Sequence, residues 1–275
     1  MSTPRSLVLP EGVVAGTRAG LDGDIATLSI EARAARRGRL LLISGWTGSK
    51  EDFTPVLPLL ADAGYDVLAY DQAGQYESAA SPDYSLEHFA RNALWLAGTG
   101  THVLGHSFGG LVAQKAALLE PTRVASLSLL DTGPGALGDV PGRPLSALVE
   151  AIGNVPMEQI HEFREKGIER PPEIAEFLRQ RFISNDPASL KAMTQLLIDA
   201  PDIIDDIAAL GLPVWVGRGV DDDAWPHEVQ ATMASRLGTR IHVIAKAAHS
   251  PAIENPEGLV AAWLPFLERH GSEGR

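Results

Sequence analysis

The run Gly105-His106-Ser107-Phe108-Gly109-Gly110 constrains this chain more than any other stretch. Apolar Val103 and Leu104 precede it, and residues 111–119 follow with helical character. A glycine-x-serine-x-glycine pattern between a strand and a helix makes a sharp, strained turn that lifts the serine hydroxyl clear of the backbone. Such a turn has no space for side chains beside the serine, so Gly105 and Gly109 read as steric requirements. Ser107 is therefore a candidate nucleophile, and the fold around it must alternate strands with helices.

A length of 275 residues allows one large domain, or a core carrying an inserted lobe. Hydrophobic residues at 45% and charged residues at 21% are enough for a substantial core. The formal net charge of -12 argues against nucleic acid or an anionic membrane as the main partner. The chain has no cysteine, which removes disulfides, a thiol nucleophile and thiolate metal sites together. The first ten residues hold one arginine and no long apolar stretch, so no signal peptide is expected there. No apolar run reaches the length of a membrane span. The expectation is a cytoplasmic protein, and nothing in the sequence specifies an oligomeric state.

Strand-like runs at residues 26–31, 40–44, 66–70, 101–106 and 124–130 alternate with helix-like runs at 52–63, 86–96 and 108–119. Pro55 and Pro58 fall near the start of the first of these helices, and Gly64 ends it. Short apolar runs separated by helices imply an α/β fold with a mainly parallel central sheet flanked by helices. Right-handed crossovers then bring the strand C-termini, the loop 45–48 and Ser107 to one edge. After Asp131 the character changes. Residues 133–144 are dense in glycine and proline, and residues 145–208 look helical and amphipathic, with Ile160, Phe163 and Ile168 on one side, as with Phe177, Phe182 and Ile183. Strand character returns at 212–217 and 240–245, and a last helix covers 256–268. The expected organisation is a core of residues 1–133 and 209–275 with a helical insertion at 134–208, placed as a cap over the strand ends.

A serine hydroxyl needs a base to take its proton, and the base needs a third group to orient it. His249 fits best, because it lies in a short loop, Ala247-Ala248-His249-Ser250-Pro251, directly after a predicted strand. His106 adjoins Ser107 but projects the other way from a strand. His88 and His242 fall inside predicted elements, His161 in the insertion, His227 at a helix start and His270 in the tail. The acid belongs at the end of the strand 212–217, where Asp221, Asp222 and Asp223 stand together. Chemistry alone leaves the choice among these three open. The chain order serine, acid, histidine suits this kind of elbow.

These segments together resemble the α/β-hydrolase superfamily, in its serine-hydrolase form with a helical cap. The resemblance rests on Gly105-His106-Ser107-Phe108-Gly109-Gly110, on Gly219-Val220-Asp221-Asp222 with Pro226, and on Ala248-His249-Ser250 followed by Glu254-Asn255-Pro256-Glu257. Ser44-Gly45-Trp46-Thr47-Gly48-Ser49 looks like the family's oxyanion loop, and Asp71 to Ser78 like the segment after its next strand. It spans residues 25–133 and 209–270 and leaves the insertion unmatched. It implies an acid three residues after the glycine and four before the proline, and counting from Gly219 and from Pro226 both give Asp222. Three positions depart from the pattern. Ser44 stands where the family usually has histidine, Ala248 where it often has glycine, and Ala73-Gly74-Gln75-Tyr76 where it has Arg-Gly-His-Gly. Epoxide hydrolases and dehalogenases of the superfamily carry aspartate at the nucleophile position, so Ser107 argues against both.

The resemblance implies a triad of Ser107, His249 and Asp222, with an oxyanion hole from the backbone N–H groups of Trp46 and Phe108. Ser44 then either hydrogen-bonds within its loop or fills a small space. The chemistry implied is acyl transfer from a carboxylic ester, lactone or related acyl compound, with no metal and no organic cofactor. The same scaffold can also serve a lyase, an acyl transferase, a perhydrolase, a cofactor-free oxygenase or a ligand receptor. Asp202, Asp205 and Asp206 read as helix-cap and surface charge rather than as a cation site.

Overall fold

The structure is a computed structural model that describes residues 2–139 and 144–271. Its elements run β1 (Val14–Ala19), β2 (Asp24–Ile30), β3 (Gly38–Ile43), α1 (Leu57–Asp62), β4 (Tyr65–Tyr70), α2 (Leu86–Ala97), β5 (Thr101–His106), α3 (Phe108–Leu119) and β6 (Val124–Leu130). Five helices follow without a strand: α4 (Leu145–Ala151), α5 (Met157–Glu165), α6 (Pro172–Ile183), α7 (Pro187–Asp199) and α8 (Ile204–Ala209). The alternation then resumes with β7 (Val214–Gly219), α9 (His227–Arg236), β8 (Ile241–Ile244), α10 (Pro251–Glu254) and α11 (Pro256–Arg269).

The eight strands form one sheet in the order β1-β2-β4-β3-β5-β6-β7-β8. The pairings β1–β2 and β2–β4 are antiparallel, and every pairing from β4–β3 to β7–β8 is parallel. Period-2 alternation divides the core between the two faces. Leu41, Ile43 and Leu68 face the side covered by α2 and α3 with Phe89 and Val112, whereas Leu40, Leu42 and Val67 face Leu60, Trp263 and Phe266 on α1 and α11. Burial on both faces explains why these strands appear in the sequence as continuous apolar runs.

The mainly parallel sheet and the helical insertion agree with the expectation from sequence. Three details do not. Strand β1 has no counterpart among the predicted strands. All six of its residues are exposed, so its hairpin with β2 leaves no hydrophobic alternation to detect. The helix expected over 52–63 is broken. A 3-10 turn covers Lys50–Phe53, and α1 starts only at Leu57, because Pro55 and Pro58 cannot sit in a helix interior. In the insertion, Ile160 is buried, but Phe163 is exposed within α5, and Ile168 is exposed because α5 ends at Glu165 and the helical face does not continue that far. The glycine- and proline-rich stretch 133–144 is loop where it is described, and its residues 140–143 lie outside the described residues. Among the described residues, no helix is long and apolar enough to cross a membrane.

Central strand β5 carries two buried histidines. His102 Nδ1 meets Ser126 Oγ at 2.7 Å, and His106 Nε2 meets the carbonyl oxygen of His249 at 2.5 Å. Burial holds both rings down to about 4, with the nearby His270 charge adding to it for His102 and the His249 charge for His106. Both rings stay neutral when folded and take up a proton more readily when unfolded. Their contribution to stability is therefore fully present above pH 6.5, the ordinary histidine value, and is lost as pH falls from there toward 4. Each histidine should contribute of the order of 3 kcal/mol to that loss. Urea titrations from pH 7.5 to 4.5 should show the unfolding midpoint falling through this window, and His102→Gln should flatten the fall.

Candidate active site

Ser107 sits between the last residue of β5 and the first of α3 with φ 56° and ψ -123°. A non-glycine residue in that region costs roughly 1–3 kcal/mol, so the surroundings must hold it there. A Cβ at Gly105 would lie 2.1 Å from the Gly109 carbonyl oxygen, and one at Gly109 would lie 2.3 Å from that of Ile43. Neither position can carry a side chain without moving the strand away from the helix. The Ser107 N–H donates to Leu130 O at 2.9 Å, which ties the turn to β6.

From Ser107 a line of hydrogen bonds runs across the ends of three strands. The Ser107 hydroxyl lies 3.0 Å from Nε2 of His249, and Nδ1 of His249 lies 2.7 Å from Oδ1 of Asp222. With Nδ1–H donating to the carboxylate, Nε2 is left to accept from the serine. Asp222 is buried, whereas Asp221 and Asp223 are exposed, so the structure brings only the middle aspartate to the histidine. The Asp222 carboxylate also accepts from the Ala224 N–H at 3.1 Å and from Gln230 Nε2 at 2.7 Å. Burial pushes its pKa up, but the His249 hydrogen bond and charge, with the Ala224 and Gln230 donors, outweigh that and hold it below the ordinary value. This carboxylate stays ionised beside the imidazole.

The loop carrying His249 is locked from both sides. The neutral His106 ring packs 5.0 Å from the His249 ring, centre to centre, and its Nε2–H donates to the His249 carbonyl. Glu254 accepts from the N–H groups of Ala248 and Ser250 at 2.6 and 3.2 Å. A Cβ at Gly219 would lie 1.9 Å from the Ala248 carbonyl oxygen, so the two loops meet backbone to backbone. Sequence reasoning set His106 aside as a base and missed its place behind His249. It also missed Gln230, which carries no signal beyond its position on α9.

The early loop is held by two glutamines, one of them, Gln75, at a position that departs from the family pattern. Gln72 Nε2 donates to Ser44 O at 3.0 Å, and Gln75 Nε2 donates to Gly45 O at 3.1 Å. Gly45 C=O and Trp46 N–H belong to one planar trans peptide, so pinning the carbonyl toward Gln75 aims the N–H the opposite way. The Phe108 N–H is the first of α3 and has no acceptor within its helix. The Ser44 hydroxyl is buried and makes no hydrogen bond among the described residues, so Ser44 fills space. Behind the loop, buried Lys50 reaches Asp71 at 2.9 Å, Glu51 at 2.9 Å and Glu77 at 2.6 Å, and it lies over the Tyr76 ring. Burial pulls its ammonium down, but Asp71, Glu51 and Glu77 more than reverse this and keep it charged.

Ser107 and His249 open into a cavity of about 480 Å³. Trp46 and Trp225 line it from the core, and Leu145 on α4, Arg164 on α5 and Leu197 on α7 from the insertion. Trp46 is half-buried, donates its Nε1–H to Thr194 Oγ1 at 3.0 Å and lies 4.5 Å beneath the Arg164 guanidinium. It is a wall of this cavity and a packing contact at once. A second, more apolar groove of about 710 Å³ adjoins it, shares Trp46, Leu145 and Arg164, and runs along Leu148 and Ile160 to Phe163. Asp202 and Asp205 pair with Arg236 and are surface charges, as expected.

An ordered serine–imidazole–carboxylate line at the C-terminal edge of such a sheet defines the class of hydrolases built on an elbow. Comparison with known proteins agrees. A family model described as "Alpha/beta hydrolase family" matches residues 40–262. "Putative carbamate hydrolase RutD" of Variovorax paradoxus (strain S110) is 30% identical, over 86% of this chain and 93% of that protein. A "Pimeloyl-[acyl-carrier protein] methyl ester esterase" of Neisseria meningitidis (serogroup A) is 26% identical, over 84% of this chain and 77% of that protein. Among solved structures, an esterase from Thermogutta terrifontis superposes with a TM-score of 0.73 at 24% identity, covering 94% of this chain and 99% of that one. The N-acyl homoserine lactonase AidH does so with a TM-score of 0.76 at 23% identity, covering 96% and 98%. The chain belongs to the alpha/beta hydrolase family, and it is an esterase-like enzyme of that fold.

The Lys50 cluster makes the early loop dependent on a buried charge. Lys50→Met should leave Asp71 buried without its ammonium and cost about 3–5 kcal/mol in urea unfolding. Adding Asp71→Asn should recover part of that loss, because the uncompensated charge goes with it.

Proposed function

We propose that this enzyme is a serine hydrolase that cleaves a carboxylic ester, lactone or related acyl substrate through Ser107, His249 and Asp222. The observation that carries the reading is the continuous hydrogen-bonded line from the Ser107 hydroxyl through His249 to buried Asp222, opening on a cavity. Ser107 Oγ attacks the substrate carbonyl while His249 Nε2 takes its proton. Asp222 holds the imidazole in the tautomer that leaves Nε2 free, and it stabilises the imidazolium that forms. The N–H groups of Trp46 and Phe108 receive the negative charge on the tetrahedral oxygen. The peptide plane pinned by Gln75 and the open first amide of α3 support this assignment. His249 then protonates the leaving group, and an acyl-enzyme remains on Ser107. Water, deprotonated by His249, attacks that ester and releases the acid.

Residues 134–208 act as a cap in this reading, since α4, α5 and α7 all contribute to the wall above Ser107. The relatives' names fit the same chemistry on different acyl compounds, a carbamate in one and a methyl ester in the other. The substrate is a small molecule, chosen by the cavity between core and cap.

A fluorophosphonate probe followed by intact-mass measurement should label the enzyme once, and Ser107→Ala should abolish the label. On a p-nitrophenyl ester series, Ser107→Ala and His249→Ala should lose roughly four orders of magnitude in kcat, with a smaller loss for Asp222→Asn. Asp221→Asn and Asp223→Asn should stay within a few-fold of the parent. A dead Asp221→Asn beside an active Asp222→Asn would overturn the acid assignment. Probe labelling with no turnover of any ester would point instead to a non-hydrolytic reaction on the same nucleophile.

A further inference from the structure

One buried carboxyl beside the Ser107–His249–Asp222 line has no part in the mechanism above. Asp131 stands immediately after β6, fully buried, with φ 47°. Asparagine and aspartate enter that region more readily than other side chains, but an ordinary strand end does not require it. Its Oδ1 accepts from the Gly219 N–H at 2.8 Å, which joins the end of β6 to the start of the Asp222 loop. Its Oδ2 is buried and has no donor among the described residues. One ligand atom each of Asp131, Asp222 and His249 lies within 4.8 Å of the others.

Two buried carboxyl groups this close, one of them with an oxygen that has no donor, form a high-energy arrangement. Placing one proton between the two removes the repulsion and satisfies the orphan oxygen. Which of the two carries it follows from their partners. Asp222 receives three donors, from His249, Ala224 and Gln230, and these favour its ionised form. Asp131 receives one, from Gly219. The charged and titratable groups facing Asp131 are Asp222 from the β7 loop and Glu254 from α10, both acidic, and the His249 imidazole, which is already bonded to Asp222. Asp222 Oδ1 already takes two hydrogen bonds, while Oδ2 takes only that from Gln230 and can accept one more. A cation shared by the three groups is the competing reading. It would have to break the His249–Asp222 bond, so the cluster is not a metal site on this geometry.

We propose that Asp131 is a positioning residue whose Oδ2 carries a proton at neutral pH and donates it to the carboxylate of Asp222. Burial first, and then the Asp222 charge, hold the Asp131 carboxyl well above the ordinary carboxylate range, in keeping with that state. The acid of the triad is then the ionised half of a two-carboxyl pair. Asp131 fixes its second oxygen, and the single negative charge stays on the side facing His249. The proposal rests on the catalytic reading of Asp222, and its first test does not involve turnover.

The experiment compares the unliganded parent with Asp131→Asn at pH 8 by infrared difference spectroscopy. Asparagine suits the φ of 47° and can donate to Asp222 and accept from Gly219, so this variant should fold. The parent should show the carbonyl stretch of one protonated carboxylic acid that is missing in Asp131→Asn. The other buried acids, Asp52, Asp71 and Asp222, are common to both and cancel. No such band would overturn the proposal. The second readout is kinetic, on a p-nitrophenyl ester. Asp131→Ala should lower kcat about tenfold with KM little changed, and Asp131→Asn should recover most of that loss. Equal loss in both variants would mean that the carboxyl is needed ionised, and would also overturn the proposal. Fluorophosphonate labelling of Ser107 in the parent keeps the two readings apart. A missing band with normal labelling removes the carboxyl pair and leaves the triad. A band without labelling keeps the pair and removes the hydrolase reading.

Discussion

The strained backbone at Ser107 is the constraint on which the rest of the site depends. A residue at φ 56° is held only because β5, α3 and β6 close around it. The closest approaches run through glycine backbone, Gly105 against Gly109 and Gly109 against Ile43. This packing sets the angle at which α3 leaves the sheet, and so the direction of its first N–H groups. It also fixes the distance from Ser107 to the neighbouring strand ends. The site's geometry is thus a property of the sheet, because β3, β5, β6, β7 and β8 are parallel and deliver their loops to a common edge.

Charge buried at that edge divides into two kinds. Near the early loop, Lys50 with Asp71 and Arg181 with Asp52 are paired ions that hold backbone in place. Arg181 lies on α6, so its bond to Asp52 at 2.7 Å also fastens the insertion to the core. Such pairs add little net stability over an apolar substitute, but removing one partner is costly, and this makes them effective locks. Around His249 the arrangement is different. His106 is kept neutral by burial and acts as a hydrogen-bond donor, while Asp222 is kept ionised by three donors. The two environments flank the same imidazole, with the His106 ring packed against it and the Asp222 carboxylate bonded to its Nδ1.

The sheet was legible in the sequence where burial on both faces writes apolar runs, as in β3 to β6. It was not legible at β1, where every side chain is exposed and only backbone pairing makes the strand. Ser107 and His249 could be found because an elbow and a loop after a strand leave local marks. Asp222 could not be separated from Asp221 and Asp223 by chemistry. It took the spacing of the resembling family, and in the structure the distinction is burial. Residues that act through long-range contact left no mark. His106 reads as an ordinary strand residue, Gln230 as an ordinary helix residue, and Asp131 as the end of a strand. Gln75 appeared only as a departure from a pattern and Gln72 only as part of a resembling segment, and the structure gives them a task in holding the carbonyls of Gly45 and Ser44.

The insertion is not fastened evenly, and this bears on where substrate choice can reside. Its α6–α7 half is tied to the core by polar bonds: Arg181 to Asp52, Tyr84 to Asp186, Ser189 to the Ala73 carbonyl at 2.8 Å and Trp46 to Thr194. Each bond fixes a distance and a direction, so this half cannot shift without leaving buried polar groups unpaired. The α4–α5 half packs mainly through a small apolar cluster of Ile152, Met157 and Ile160 against Phe182 and Leu190. Apolar contacts set a volume but not a direction, and volume-conserving changes there cost little. Leu145, Leu148 and Phe163, which border the groove beside the Ser107 cavity, all belong to that half. The shape of that groove can therefore be changed by altering α4 and α5 while Ser107, His249 and the Trp46 and Phe108 N–H groups stay where the sheet puts them.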